Sequence, residues 1–471
     1  MPVIPVTLIK GDKVSSLTDY RDALSVNMYA VQKDILGAQG YMLSYPGLVS
    51  FGTGLGIDRG ANYNERLKNH FRVSGANLIS VSSAGVVNNL GAIPGTSQCR
   101  LQDFYSFNTQ GIIADGKMFL YDAVGGFREI TDIDLGSPID GVWVDGYYFL
   151  TDGEYIYHTD IADEESIDPL KFATAEFMPD PSLGVAKTPD NKVMVFGRYT
   201  IEYFANDATA NFAFTRIATR VQKIGIVATH AKCELKDAWY IVGGRREEAI
   251  SVHKLAHSIS EKVSTREIDK ILKQYTEPEL VDIRMEVRIE DDIAFMLIHL
   301  PNETLCFNET IALTMGLQFA WSVLKTDTLG DNPYRAINGV LDPRNSLWIY
   351  GDKIDTHIGK LDESIVTHYD DKVEWILFTP FLNLDGMSID EIEIATIPGF
   401  NIVDDATIAV SMTNNGLTYG GEYWLKYGEP LNYGKRFIAR RLGYVRDYVG
   451  FKFRGISTSK MAFALMKVSY D

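Results

Sequence analysis

Ala114-Asp115-Gly116-Lys117-Met118-Phe119-Leu120-Tyr121 and Val144-Asp145-Gly146-Tyr147-Tyr148-Phe149-Leu150 carry one theme: an Asp-Gly turn, then a hydrophobic, aromatic-rich run. Asp-Gly tolerates two successive residues at positive φ, which suits the tight turn of a β-hairpin. The theme occurs seven times between Phe71 and Ile349, with turns at Gly75, Gly116, Gly146, Asn191, Asp237, Asp292 and Asn345. Pro189-Asp190-Asn191-Lys192 leads into Val193-Met194-Val195-Phe196, and Pro343-Arg344-Asn345-Ser346 leads into Leu347-Trp348-Ile349-Tyr350. Each run is too short for a helix and is bounded by turn residues. The gaps are 41, 30, 45, 46, 55 and 53 residues, which is 270 residues over six intervals and a mean of 45. That is the period of a four-stranded propeller blade.

The expected fold is therefore all-β: a β-propeller of six or seven blades over residues 71–383, with a smaller C-terminal β-sandwich-like domain over 384–471. Residues 1–70 are mixed, with Gly/Pro turns at Gly40, Pro46-Gly47 and Gly52-Thr53-Gly54. They read equally as a segment that wraps onto the main body or as a plain N-terminal domain. One stretch near 264–282 breaks the pattern. Ser264-Thr265-Arg266-Glu267 has the form of a capping box, and Ile268, Ile271, Leu272 and Tyr275 follow at helical spacing. Thr276-Glu277-Pro278-Glu279 offers a second start, so a short helical insertion whose apolar stripe packs on its own domain is expected. In the C-terminal part, Asn415-Gly416 reads as a hairpin turn.

A chain of 471 residues exceeds the size at which one core stops growing, so two or three domains are expected. Three scattered cysteines, Cys99, Cys233 and Cys306, make neither a disulfide framework nor a metal knuckle, and this points to assembly in a reducing compartment. The first residues, Met1-Pro2-Val3-Ile4-Pro5-Val6, lack the charged and apolar regions of a secretory signal. Apolar runs such as Ile293–Ile298 are far too short for a membrane span, so no membrane insertion is expected. The formal charge of −17 argues against a nucleic-acid coat, because phosphate binding rests on Lys and Arg. It suits a surface that nucleic acid passes without sticking.

Between Lys435 and Lys460 the balance inverts: eight basic residues stand against Asp447 alone. Lys435, Arg436, Arg440, Arg441, Arg446, Lys452 and Arg454 are the candidate partner-docking residues, for an acidic subunit or a phosphate backbone. The plainer alternative is the solvated outer faces of alternating strands.

Catalytic signatures are weak throughout. No P-loop, G-x-S-x-G elbow or H-E-x-x-H helix occurs. His253-Lys254-Leu255-Ala256-His257 places two imidazoles four apart but supplies no third ligand. Asp370-Asp371, and Asp163-Glu164-Glu165 with Asp168, lack the ligand spacing of a calcium loop. The expectation is no catalytic residue, no metal and no cofactor. A carbohydrate-active propeller enzyme or lectin is the alternative: Met412-Thr413-Asn414-Asn415-Gly416-Leu417-Thr418-Tyr419 matches the sialidase turn S-x-D-x-G-x-T-W at Gly and Thr. It replaces the Ser, Asp and Trp, and a paired-carboxylate site is not singled out. A propeller scaffold of cellular origin is a third possibility.

A dozen short matches in one order carry a family resemblance. They include Gly40-Tyr41, Tyr45-Pro46-Gly47, Arg59-Gly60, Thr200-Ile201-Glu202-Tyr203-Phe204, Val221-Gln222-Lys223 and Ile268-Asp269-Lys270-Ile271-Leu272. Further along stand Ile298-His299-Leu300-Pro301, Val323-Leu324-Lys325-Thr326, Tyr334-Arg335-Ala336-Ile337, Gly351-Asp352-Lys353, Leu377-Phe378-Thr379-Pro380 and Gly450-Phe451-Lys452. In these residues the chain resembles the packaged-DNA stabilisation, or tail-hub, proteins of short-tailed bacteriophages of the enteric-podophage type. The loops 55–58 and 160–175 do not align, and nothing carries over to them.

The resemblance implies a non-enzymatic protein of the virion tail, assembled in the host cytoplasm after the genome is packaged. It implies a homohexamer that continues the DNA channel below the portal and the portal-adaptor protein and helps to retain packaged DNA. It also implies a mount for the tail needle and for the tailspike or its adaptor. Genomic DNA would pass without specific binding; six chains of −17 carry roughly −100 formal charges.

Overall fold

Alternating strands and turns fold as their periodicity demands, into many small antiparallel sheets. The computed structural model describes the chain except residues 1, 10, 15–19, 105–107, 162, 176, 210, 257–258, 329–331 and 397–405. It forms two compact units: a repeat unit of Ser50–Arg288 and Ala336–Gly359, and a C-terminal unit of Met1–Val49, Ile289–Arg335 and Lys360–Asp471.

In the repeat unit, five sheets follow one another in sequence, at 58–92, 100–129, 140–173, 182–222 and 225–262. A further sheet, Ala336–Asp342, Leu347–Asp352 and His357–Asp362, takes Gly47–Thr53 as its fourth strand. The hairpins behave as the sequence predicts. Asp115-Gly116 (φ 51° and 69°) and Asp145-Gly146 (φ 49° and 88°) both lie in the left-handed region that a tight hairpin turn requires. Five of the seven predicted turns, at Gly146, Asn191, Asp237, Asp292 and Asn345, join the first strand of a meander to the second. Gly75 and Gly116 instead join the second and third, Asn69–Ser74 to Asn77–Val81 and Thr109–Ala114 to Lys117–Asp122. The phase changes between Gly116 and Gly146, which shortens the second gap to 30 residues.

Neighbouring sheets pack through their apolar faces. Phe71, Val73 and Leu78 of the first sheet meet Leu101, Ile112 and Phe119 of the second. Val144 and Phe149 of the third meet Val185, Val195 and Phe204 of the fourth. Ile79 and Val81 of the first sheet also meet Ile349 and Ile358 of the last, so the array closes on itself as a β-propeller. Each large side chain buried in this way contributes about 1.5–3 kcal/mol.

Most of a ten-stranded sheet lies in the C-terminal unit; it begins with the meander Arg284–Glu290, Ile293–His299, Thr304–Asn308 and Trp321–Leu324, and the unit boundary at Arg288 falls inside the first of these strands. Seven meanders thus succeed one another along the described chain, the fifth with five strands and the last with three strands of its own plus Gly47–Thr53. The sheet continues through Ser25–Val26, Glu374–Phe378, Tyr448–Ile456 and Thr407–Thr413 to an edge strand, Tyr423–Lys426. A four-stranded sheet, in the order Val3–Thr7, Leu465–Tyr470, Met387–Ala395 and Phe437–Val445, belongs to the same unit.

The compact units do not follow the sequence boundaries. Residue 70 falls inside the strand Asn69–Ser74, because the first sheet already begins at Asp58. The N-terminal residues pair with the far end of the chain: Val3 faces Ser469, and Ser25 pairs in parallel with Ser322. The insertion also differs in detail. The helix Arg266–Leu272 starts one residue late for the Ser264 box, with Thr265 at its N-cap and no side-chain cap bond. Ser264 Oγ instead donates to Asp269 Oδ1 at 2.6 Å. The capping box forms at Thr276 and Glu279, on a one-turn 3-10 helix. Ile268 and Leu272 are buried against their own unit. Asn415-Gly416 is not a tight hairpin turn but part of a longer loop between Thr407–Thr413 and Tyr423–Lys426, where Asn415 Oδ1 accepts from Leu417 and Thr418 backbone amides. Among the described residues, no helix is long and apolar enough to cross a membrane.

Candidate docking surface

Strand alternation decides which of the C-terminal basic residues face out. Phe437, Ala439, Leu442 and Val445 are buried on one face of the strand Phe437–Val445. A register shift opposite Ile389–Glu391 inserts a bulge, so Arg440 and Arg441 are both exposed although adjacent. Arg441 takes φ 59° there.

The seven candidates do not form one free cationic patch, because they divide between two sheets. On the edge strand Phe437–Val445 and its approach, Arg436 makes a fork to Glu393 (2.7 and 2.7 Å), and Arg440 Nε donates to Glu391 at 2.8 Å. Both acceptors stand on the neighbouring strand Met387–Ala395. Arg436 holds the Glu393 carboxyl below its ordinary range. On Tyr448–Ile456, Arg454 makes a fork to Glu422 (2.9 and 2.8 Å), reaches Glu374 at 3.0 Å and lies over the Trp424 ring. Lys452 sits 4.9 Å from the Tyr419 ring centre. Lys435 is half-buried. Arg446 has an 87% exposed side chain and stands 3.7 Å from Asp447. Arg441 and Arg446, flanked by exposed Tyr444 and Tyr448, make up the outward tip of this stretch. Arg and Tyr are the residue types that anchor protein interfaces, and the strand beside them is a sheet edge.

A second concentration of charge is buried in the repeat unit, and the sequence carries no signal for it. Alternation in His70-Phe71-Arg72-Val73 places Arg72 at solvent, yet it is fully buried. Arg72 Nε donates to Asp58 Oδ2 at 2.7 Å and Nη2 to the Asn338 carbonyl at 2.9 Å; Asn338 Nδ2 donates to Asp58 Oδ1 at 2.8 Å. These bonds tie the first sheet to the last. A Cβ at Gly351 would overlap the Asp58 carboxylate, which explains the glycine of Gly351-Asp352-Lys353. A second hub is Asp140, which accepts from Lys232 Nζ at 2.6 Å and Val185 N at 2.9 Å and lies 3.4 Å from Arg100. Burial pushes its carboxyl up, but Lys232 and Arg100 bring it below the ordinary range. Arg284 donates to His230 Nδ1 at 3.1 Å, and burial holds that imidazole well below its usual pKa.

His253 is buried on the strand Ser251–Ala256, its pKa lowered to about 4 chiefly by burial; His257 lies outside the described residues. Asp370 and Asp371 form a turn that returns to His368. Among the described residues, no group of three His, Cys, Asp or Glu side chains is placed to hold a metal ion.

Residues 4–366 match the family model described as Bacteriophage P22 Gp10, beta-propeller, and residues 374–471 match Bacteriophage P22 Gp10, beta-sandwich. This chain belongs to the P22 Gp10 family. Tail hub protein gp10 of Salmonella phage P22 is 30% identical to it over 478 residues, covering 98% of each chain. The protein is accordingly a tail-hub protein, a component of the virion tail. Among solved structures, a streptogramin B lyase aligns over 67% of this chain and 97% of its own at 10% identity with a TM-score of 0.42. A virginiamycin B lyase from Staphylococcus aureus aligns over 65% and 94% at 10% identity with a TM-score of 0.40.

Proposed function

We propose that this tail-hub protein works as a homohexameric ring that continues the DNA channel below the portal and portal-adaptor rings, and that it is not an enzyme. In this reading the ring helps to retain packaged DNA and mounts the tail needle and the tailspike or its adaptor. One observation carries it: the similarity to a phage tail hub runs through both the propeller and the sandwich, end to end. The charge of −17 per chain supports a conduit that DNA traverses without binding. Sheets closed into a propeller make a rigid body suited to lateral contacts, and closed cyclic symmetry is the usual result for such subunits.

Imaging of assembled particles tests the proposal. A six-fold density for this chain between adaptor and needle is expected; its absence there would refute the hub role proposed here. The free chain is expected to sediment as a monomer or weak oligomer and to enter a ring when portal-adaptor protein is added. A stable hexamer from the free chain in native mass spectrometry would overturn templated assembly.

A further inference from the structure

Residues 131–170 contain eleven Asp and Glu and not one Lys or Arg. They build most of the third sheet of the repeat unit, whose outer edge strand is Ile167–Ala173. Beside that edge lies an apolar groove of about 240 Å³, floored by Leu135, Tyr157 and Ile167 and flanked by Tyr155 and Phe172. The two flanking rings meet edge to face at 5.2 Å. Around it, Ile133 is 94% exposed and Leu170 79%, which is a heavy apolar load for one sheet edge. The rim is acidic: Asp134, Asp152 and Asp168 line it, and exposed Glu154 stands next to Tyr155. Lys171 answers Asp160 at 2.5 Å and Asp168 at 3.6 Å; Asp134 and Glu154 face solvent.

The C-terminal unit offers the complement. The tip at Arg441, Tyr444, Arg446 and Tyr448 is basic and aromatic, and its neighbours Arg436 and Arg440 are already satisfied by Glu391 and Glu393. We propose that the acidic groove of one subunit receives the basic aromatic tip, Arg441 to Tyr448, of a second copy of this chain. An apolar anchor ringed by opposite charge is what a specific interface needs: rings fill the groove, and charge sets orientation and excludes wrong partners. Because groove and tip are different patches, the contact is heterologous, and repetition generates a ring when the rotation closes. This inference rests on the ring reading above and supplies its subunit contact.

The test uses two folded variants in particles that lack the wild-type chain. One carries Arg441→Glu and Arg446→Glu, the other Asp134→Arg and Glu154→Arg. Each alone sets like charge against like charge, so ring-bearing particles and infectious titre should fall about 100-fold with unchanged melting temperature. Expressed together, the two variants present opposite charges at every groove, and assembly should return to within about tenfold of wild type. Normal assembly of either variant alone, or no recovery on co-expression although both fold, overturns the contact. Wild-type particles imaged in parallel separate the two levels. A six-fold ring in which groove and tip lie apart removes this contact and leaves the hub reading. Wild-type particles without a ring remove both.

Discussion

Two concentrations of charge in one chain do opposite work. Asp58, Arg72, Asp140 and Lys232 are buried in the repeat unit, bonded across sheets. Arg436, Arg440, Arg441 and Arg446 are exposed on the C-terminal unit, and two of them are held by carboxylates of one neighbouring strand. The chemistry is the same, so the difference lies in the surroundings. A buried charge has lost its hydration and depends on its partner, so breaking the pair costs far more than the pair contributes. An exposed charge keeps its water, and its pairing contributes little to stability. Buried charge therefore fixes which sheets meet, while exposed charge remains available to another molecule.

The largest expected effect breaks this contrast at Arg72. Arg72→Met strands the Asp58 carboxylate and should cost about 3–5 kcal/mol in urea unfolding. Adding Asp58→Asn should recover at least half of it; a double variant no better than the single would assign the loss to packing alone. Acid comes next. Burial lowers His253 to about 4 and His368 to about 3, whereas the unfolded chain takes up protons near 6.5. Their stabilising contribution is thus complete above pH 6.5 and is lost as pH falls from there toward those folded values. Each should remove about 2 kcal/mol by pH 5 relative to pH 8, and His253→Gln should flatten the pH dependence of the unfolding midpoint.

Arg454 is intermediate, because it bonds buried Glu374 while partly exposed itself. Arg454→Ala should cost about 1–2 kcal/mol, limited by Lys325, which still holds Glu374 at 2.5 Å. At the small end, Arg436→Ala should leave the melting temperature unchanged and raise the Glu393 pKa toward its ordinary value, as read by NMR titration. A measurable loss of stability there would erase the distinction between the two groups of charge.

Much of the fold was legible because its signal is local. Asp115-Gly116 and Asp145-Gly146 write their hairpins directly into backbone preference. Which hairpin of a sheet each turn closes was not legible: Gly75 and Gly116 join second to third strands and the other five first to second, since equal turns look alike whichever strands they join. The helix start slipped by one residue for a similar reason: Ser264 and Thr265 are both competent caps, and the bond from Ser264 to Asp269 chose between them. The helix Glu309–Thr314, capped by Asn308, has no legible signal, because six residues are too short to show a period. In the basic stretch, residue types were legible but their availability was not. Glu393 precedes Arg436 by 43 positions, and nothing near either residue announces the bond.

The sequence by itself determined the strands, their turns, the repeat of 45 residues and the placement of opposite charge in two separate stretches. Each of these rests on interactions within a few residues, where steric preference and alternation act without the rest of the chain. Tertiary structure alone decided that Gly47–Thr53 completes the last sheet and that Ser25 pairs with Ser322. It also decided that Arg72 is buried and that Arg441 is open to solvent. Those outcomes depend on which distant surfaces exclude water together, and desolvation belongs to the assembled fold, not to any segment of it.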